Sequence, residues 1–438
     1  MTIDDARETI EAFRMGGPRE MAGKRGADLT RAWTTWATAR NAAIRARLER
    51  GDEDSLVNFW MYGTSFTTRP RATARDLAAI GGRDRALMLL EGRLDDLVAA
   101  LAAPGANERL RFARQVLERR HIDASTGAGQ EQARAYLIDI RERALKETER
   151  YRRTLASASL LKDPDARLDA FAAVYRERGL SSDTSINADF ALDHAIGAAK
   201  VAGVLGRVHR AGIVGPGLDF TDKAEGYDFY PVQTIQPFAV ADALLRLDLA
   251  SPNDLRVSTF DLSPRVNAHL GEARARAAHG EPYTVQLPLD ADTSSRQWRP
   301  ELVDYWQHFG GTIGEPVPPV PAPPTLVDLR VRAVRVRPDV VRSITPIDLN
   351  IVLERLGGLA EGDRYDLIVA TNVLVYYEKF EQALAMENVA AMLRPGGLFI
   401  TNYKMTPRPP FEPAAVVTEN VFWDLQGTGD TLHVYRKR

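Results

Sequence analysis

Apolar residues recur at helical spacing through the first part of the chain. Between positions 86 and 102, Leu87, Leu90, Leu94, Leu97, Val98 and Leu101 share one face. Stretches 109–119 and 131–156 continue the pattern, with Tyr136, Ile138, Ile140 and Leu145 set among many charges. Stretch 164–178 predicts another short amphipathic helix, and no fixed-period repeat is visible. Residues 1–185 therefore predict a mainly helical domain. Within it, Phe59, Trp60, Met61 and Tyr62 precede Gly63, Thr64 and Ser65. That order predicts a buried helix end stopped by glycine, the alternative being a loop that covers a ligand.

From about residue 186 the texture changes to alternating strands and helices. A long apolar helix is predicted over 187–205, and a strand over 208–214 leads into Gly215-Pro216-Gly217-Leu218-Asp219. A helix over 235–249, a strand over 255–260 and a helix over 263–278 capped by Ser263 follow. Further strands are expected at 340–346, 365–371 and 398–401, with a helix over 378–393 and a tight turn at 394–397. Stretches 421–426 and 431–435 predict a hairpin. The order predicts an α/β domain over 186–438: a Rossmann-like, doubly wound, mostly parallel sheet with an antiparallel end hairpin. An insertion at about 281–337 carries Pro316, Pro318, Pro319, Pro321, Pro323 and Pro324, which favour an extended spacer, then a period-two strand pattern over 327–337.

Composition narrows the chemistry. The chain has 438 residues, 45% hydrophobic and 26% charged, enough for two or three domains with sizeable cores. It has no cysteine, which excludes disulfides, thiolate zinc sites and cysteine nucleophiles. A formal net charge of −2 makes no global case for nucleic acid or a membrane surface. The basic clusters 45–50 and 330–337 are mixed with apolar or acidic residues and predict solvated faces, so nucleic acid is not the expected partner. No apolar run approaches the roughly 20 residues of a membrane span, and residues 1–20 do not resemble a signal peptide, so the cytoplasm is the expected compartment.

Candidate chemistry gathers at strand ends. Gly215 and Gly217 permit a sharp turn and close approach of a ligand to the backbone. The full dinucleotide fingerprint is missing, because Phe220 stands where its third glycine would be, and no triphosphate-binding loop occurs. Asp261 ends the second strand, Asp348 follows the third, and Asn372 follows the fourth. Open α/β sheets bind ligands at these ends. A carboxylate after the second strand can accept two hydrogen bonds from ribose hydroxyls, and a polar group after the third can read an adenine amine. Each alone would suit a helix cap or a turn. Acids and aromatics also alternate over 219–231, in a loop leaving the same end of the sheet, and no carboxylate spacing suggests a metal.

Residues 365–402, YDLIVATNVLVYYEKFEQALAMENVAAMLRPGGLFITN, resemble the fourth strand, following helix and fifth strand of the class I S-adenosylmethionine-dependent methyltransferases, with their LRPGG turn. The likeness extends over about 186–438. It implies S-adenosylmethionine as cofactor. Gly215, Pro216, Gly217 and Asp219 would lie by its methionine part, Asp261 with Leu262 by the ribose, Asp348 and Leu349 by adenine, and Thr371 and Asn372 would close the site. Pro216 in the turn and the enlarged segment 220–253 depart from the family pattern. No D/N-P-P-Y/F motif occurs, since Val373 follows Asn372. Tyr230, Tyr376 and Tyr377 are the candidate catalytic groups, while His194, on an apolar helix, is expected to be a core histidine. The resemblance leaves three readings of the acceptor: a small molecule, which is preferred, a protein or RNA, or none in a catalytically silent regulator. Oligomeric state stays open. Residues 1–185 are expected to form one wall of the acceptor pocket, through the aromatic run 59–62.

Overall fold

A computed structural model describes the chain apart from residues 74–75, 78–79, 161–169, 171–172, 176–177, 183–185, 222–226, 294–295, 325 and 327. The helix predicted over 164–178 falls largely outside the described residues, as do Asp222 and Glu225 of the acidic loop.

Strand β1 (Arg210–Val214), β2 (Arg256–Asp261), β6 (Ile344–Asp348), β7 (Tyr365–Ala370) and β8 (Leu393–Thr401) pair in parallel. Every residue of β7 is buried, as a strand covered by helices on both faces requires. The C-terminal strands β9 (Val417–Phe422) and β10 (Gly429–Arg436) complete the sheet, and β10 lies between β8 and β9, antiparallel to both. The resulting order is β6-β2-β1-β7-β8-β10-β9. Helices α6 (Ile186–Val201), α7 (Gln236–Arg246), α8 (Pro264–Ala278) and α11 (Lys379–Met392) cover its faces.

Three local expectations need correction. Stretch 340–346 is not one strand: α10 (Pro338–Ser343) comes first, because Pro338 and Asp339 favour a helical first turn, and β6 begins only at Ile344. Residues 394–397 are no free turn but the bulged start of β8, whose register shifts against β7 and where Gly396 takes φ 76°. Ser263 occupies the cap position of α8 without a side-chain cap bond; its N–H donates to Asp261 Oδ1 at 2.7 Å instead.

The insertion forms its own antiparallel sheet, ordered β3-β5-β4, from β3 (Tyr283–Asp290), β4 (Gly314–Val317) and β5 (Leu329–Val336), with α9 (Pro300–His308) between β3 and β4. Leu287, Trp306 and Val334 join the core beneath α6 and α7, so this unit is an integral part of the fold.

The helical half is organised by α2 (Gly26–Tyr62), 37 residues long and about 55 Å from end to end. Its first half packs Trp33 and Ile44 into the core that holds Phe380 and Leu384 of α11. Its last turn packs Phe59 and Trp60 against α3 (Arg83–Ala102), α4 (Glu108–Arg119) and α5 (Gly127–Ser159). The short α1 (Ile3–Ala12) lies against α11, and Met1 N donates to Leu353 O at 3.0 Å. In mid-helix, Gly51 meets the segment that leads to α6: a Cβ there would lie 2.0 Å from Leu180 O. Alanine normally strengthens a helix interior by about 1 kcal/mol over glycine. Gly51→Ala should do the opposite and lower stability by more than about 1 kcal/mol through overpacking, read as a fall in the urea midpoint.

Candidate active site

The chain steps outward from β1 to β2 and β6, then returns to the other side of β1 for β7 and β8. At that reversal the connections leaving β1 and β7 diverge and leave a crevice at the carboxyl end of the sheet. A cavity occupies it. Gly215 and Gly217 line it after β1, Phe260 to Ser263 at the end of β2, Leu349 and Ile351 after β6, and Thr371 to Val373 with Tyr376 and Tyr377 after β7. Gln236 adds a polar group from the start of α7, and Leu48, Leu180, Ser181 and Ser182 close the side opposite the sheet strands.

Local backbone explains the shape. Gly215 and Gly217 hold φ at 66° and 68°, and a Cβ on Gly215 would lie 2.6 Å from Val373 Cγ2. Asn372 takes φ 57°, a conformation asparagine tolerates better than most residues. Its N–H donates to Asn402 Oδ1, and its Oδ1 accepts from Asn402 Nδ2, both at 2.8 Å. Asp261 is buried, and burial pushes its carboxyl up to about 6, while the N–H groups of Ser263 and Gly217 pull the other way.

No protein-family model matches the chain, and no curated protein matches it in sequence. Solved structures do. The N-methyltransferase NodS from Bradyrhizobium japonicum WM9, crystallised with S-adenosyl-L-homocysteine, is 12% identical over 56% of this chain and 85% of its own, with a TM-score of 0.26. The magnesium protoporphyrin IX methyltransferase of Synechocystis PCC 6803, with S-adenosylmethionine bound, is 10% identical over 58% and 81%, TM-score 0.27. The CurJ carbon methyltransferase is 13% identical over 99% and 98%, TM-score 0.29. Superpositions this loose carry no weight of their own. What decides is the sheet: five parallel strands with the reversal between β1 and β7, and β10 inserted antiparallel between β8 and β9. The chain has the class I methyltransferase fold.

Within that fold the predicted residues separate into two groups. Gly215, Gly217, Asp261, Leu262, Leu349, Thr371, Asn372, Tyr376 and Tyr377 surround one cavity. Pro216, Asp219, Asp348 and Tyr230 do not line it. Tyr230 is buried, and its hydroxyl donates to Asp219 Oδ2 at 2.8 Å, where Gln233 Nε2 also donates. The loop around them is fastened to the helical half: Arg109 donates to the carbonyls of Phe220 and Tyr230, and Asp228 accepts from Thr64 and Ser65, backbone and hydroxyl alike. Asp348 is exposed and meets Arg45 of α2 at 2.9 Å. His194 is exposed beside Phe190 rather than buried in the core. Phe59 and Trp60 lie in the helical core, so the helical half reaches the cavity through Leu48 and the 180–182 segment.

Gln236 and Asp189 were not foreseen. Gln236 Nε2 donates to Thr371 Oγ1 at 2.8 Å. Behind it lies Asp189 of α6, fully buried, with neither carboxylate oxygen hydrogen bonded. Burial pushes this carboxyl up to about 8, and the neighbouring Gln236 opposes the rise. With its amide turned over, Gln236 would accept from the Thr371 hydroxyl and donate to Asp189, satisfying both ends. Only the Asp-x-x-x-x-His pattern of an apolar helix marks Asp189 in the sequence, and that pattern does not announce a buried acid.

A folded-state value above the unfolded one means that the folded chain keeps a proton the unfolded chain has released. The Asp189 contribution should therefore be intact below 3.8 and decline as pH rises towards and through about 8. The loss is on the order of 5 kcal/mol at most. Asp189→Asn should flatten that decline, measured as unfolding free energy against pH.

Proposed function

We propose that this protein is an S-adenosylmethionine-dependent methyltransferase, with residues 1–185 acting as a helical cap over a cofactor-binding domain at 186–438. The observation that supports it best is the Gly215–Gly217 turn facing the buried Asp261 carboxylate at the sheet's reversal point. The turn contains no side chain at Gly215 or Gly217 to obstruct the backbone, so the methionine part of the cofactor can lie against it. Asp261 accepts from the ribose hydroxyls, held in place by its bond from Ser263 N–H. Leu262, Leu349 and Ile351 offer the apolar walls that an adenine ring needs. Thr371, fixed by Gln236, and Asn372, fixed by Asn402, shape the end towards β7. Asp348, engaged by Arg45, and Pro216, Asp219 and Tyr230 serve by holding the loops around this cavity.

When bound, the cofactor supplies an electrophilic methyl group on a sulfonium. The chain's part is alignment and exclusion of water. Burial raises the Tyr377 phenol well above its ordinary value, so it remains a hydrogen-bond donor at neutral pH and orients an acceptor rather than deprotonating it. Tyr376, half-buried at the cavity edge, is the second orienting group. Among the described residues Asp261 is the only carboxylate lining the cavity, and no imidazole lines it. That favours an acceptor that needs no strong base, and a small molecule fits a concave, partly apolar cavity better than a polymer. The same scarcity of bases favours, as second reading, a silent cofactor-binding regulator.

Calorimetry with S-adenosylhomocysteine is the direct test: no binding by the folded chain at millimolar ligand overturns the proposal. Asp261→Ala should weaken binding by about 1–3 kcal/mol. In the wild type, affinity should fall as pH drops through about 6, because protonation removes the acceptor the ribose needs; Asp261→Asn should be weak and flat over that range. Tyr377→Phe should leave affinity nearly unchanged and lower the turnover of an acceptor assay.

A further inference from the structure

A second cavity lies beside the first, and its lining is almost entirely cationic. Arg47 and Arg50 reach it from α2, Arg143 and Arg150 from α5, and Arg178 from the segment that leads to the first cavity. Glu147 is the carboxylate among the lining residues. Positions 143, 147 and 150 fall on one face of α5, as 47 and 50 do on α2, so the two helices turn matching stripes towards each other. A guanidinium keeps its charge at any physiological pH, so this is a permanent concentration of positive charge in a chain whose net charge is −2.

The charges are unevenly answered. Arg143 is compensated: it meets Asp54 at 2.7 Å, Glu147 at 3.0 Å and Glu53 at 3.3 Å. Glu147 is thereby already engaged. Arg50 and Arg150 make interactions of their own. Arg47 is held differently. It donates to the backbone oxygens of Tyr175 at 3.0 Å, Arg178 at 3.0 Å and Tyr376 at 2.9 Å. These fix the group without neutralising it, and burial pushes its guanidinium down from the usual value. Arg178 lies over the rings of Tyr151 and Tyr175 at 5.6 and 6.0 Å, which steer a cation but carry no countercharge. Forked donors held in this way suit a planar or tetrahedral oxyanion.

The position matters as much as the charge. Leu48, next to Arg47 on α2, lines the cofactor cavity, as does Tyr376, whose carbonyl holds Arg47. The two cavities therefore lie on either side of α2 and Tyr376. We propose that the arginine-lined cavity binds the carboxylate or phosphate group of the methyl acceptor, anchoring it so that its reactive end reaches the first cavity past Tyr376. This rests on the methyltransferase function proposed above, and makes the acceptor a small anionic molecule.

The test titrates the full-length chain with inorganic pyrophosphate and, separately, with citrate, at low ionic strength, with and without S-adenosylhomocysteine. Sodium chloride at matched ionic strength is the control. At least one probe should saturate at millimolar concentration or below, and the stronger of the two tells a phosphate acceptor from a carboxylate one. Arg178→Gln should weaken that probe by about ten-fold, as expected for one charge-assisted bond, and leave S-adenosylhomocysteine affinity unchanged. Arg150→Gln serves as a second variant should the first fail to fold, with the same expectation. Absence of saturable binding by both probes, or equal binding by wild type and variants, overturns the proposal. Mutually exclusive binding of probe and S-adenosylhomocysteine also overturns it, because the anion would then occupy the cofactor cavity. Anion binding with no S-adenosylhomocysteine binding overturns the acceptor role by removing the methyltransferase function, whereas the converse leaves that function standing.

Discussion

Glu381 is almost wholly buried, its side chain 2% exposed, and it does two things at once. It closes the capping box of α11 by accepting from Glu378 N–H at 2.9 Å, and it receives both forked donors of Arg40 from α2. Removing the arginine would leave a carboxylate buried without its partner, a change that typically costs about 3–5 kcal/mol. That pair fixes where α2 crosses the sheet. The placement of Arg45 on Asp348, Asn41 on Asn350 and Leu48 in the cavity follows from it, since a helix pinned at one turn presents its next turns at set rotations.

The same docking explains why charge is handled so differently on the two sides of Tyr376. On one side the acids are desolvated: Asp261 and Asp189 both sit in surroundings that favour their neutral forms. On the other, arginines converge from two helices whose own acids are largely consumed in pairing. The two environments, one of desolvated acids and one of converging arginines, lie on either side of α2 and Tyr376.

Much of this was legible in the sequence, for identifiable reasons. Strand β7 shows itself as a continuous apolar run, and the LRPGG segment is distinctive even though it forms a bulge rather than a turn. The strand-end residues Gly215, Asp261 and Asn372 could be placed because parallel strands all deliver their carboxyl ends to one side. Tyr230 and Asp219 could not, because the loop holding them turns away to meet Arg109, about 110 positions earlier. Leu48 and Gln236 were invisible for the same reason: one is a single leucine in an arginine-rich stretch, the other a glutamine before Pro237, and only tertiary docking gives either a role. What the proline-rich stretch does not announce is that β5, the strand after it, contributes Val334 and Val336 to the core.

The bonds that seat the helical half join residues synthesised far apart. Thr9 meets Glu387, Arg40 meets Glu381, and Met1 meets Leu353. As the chain leaves the ribosome, α2 emerges before the surface that covers Trp33, Trp36 and Ile44, which follows some three hundred residues later. A helix waiting that long with its tryptophans unmatched is a natural client for holdase chaperones and a natural site of misassociation at high expression. The sheet can organise its first strands during synthesis; the cavity itself can close only once the last third of the chain is out.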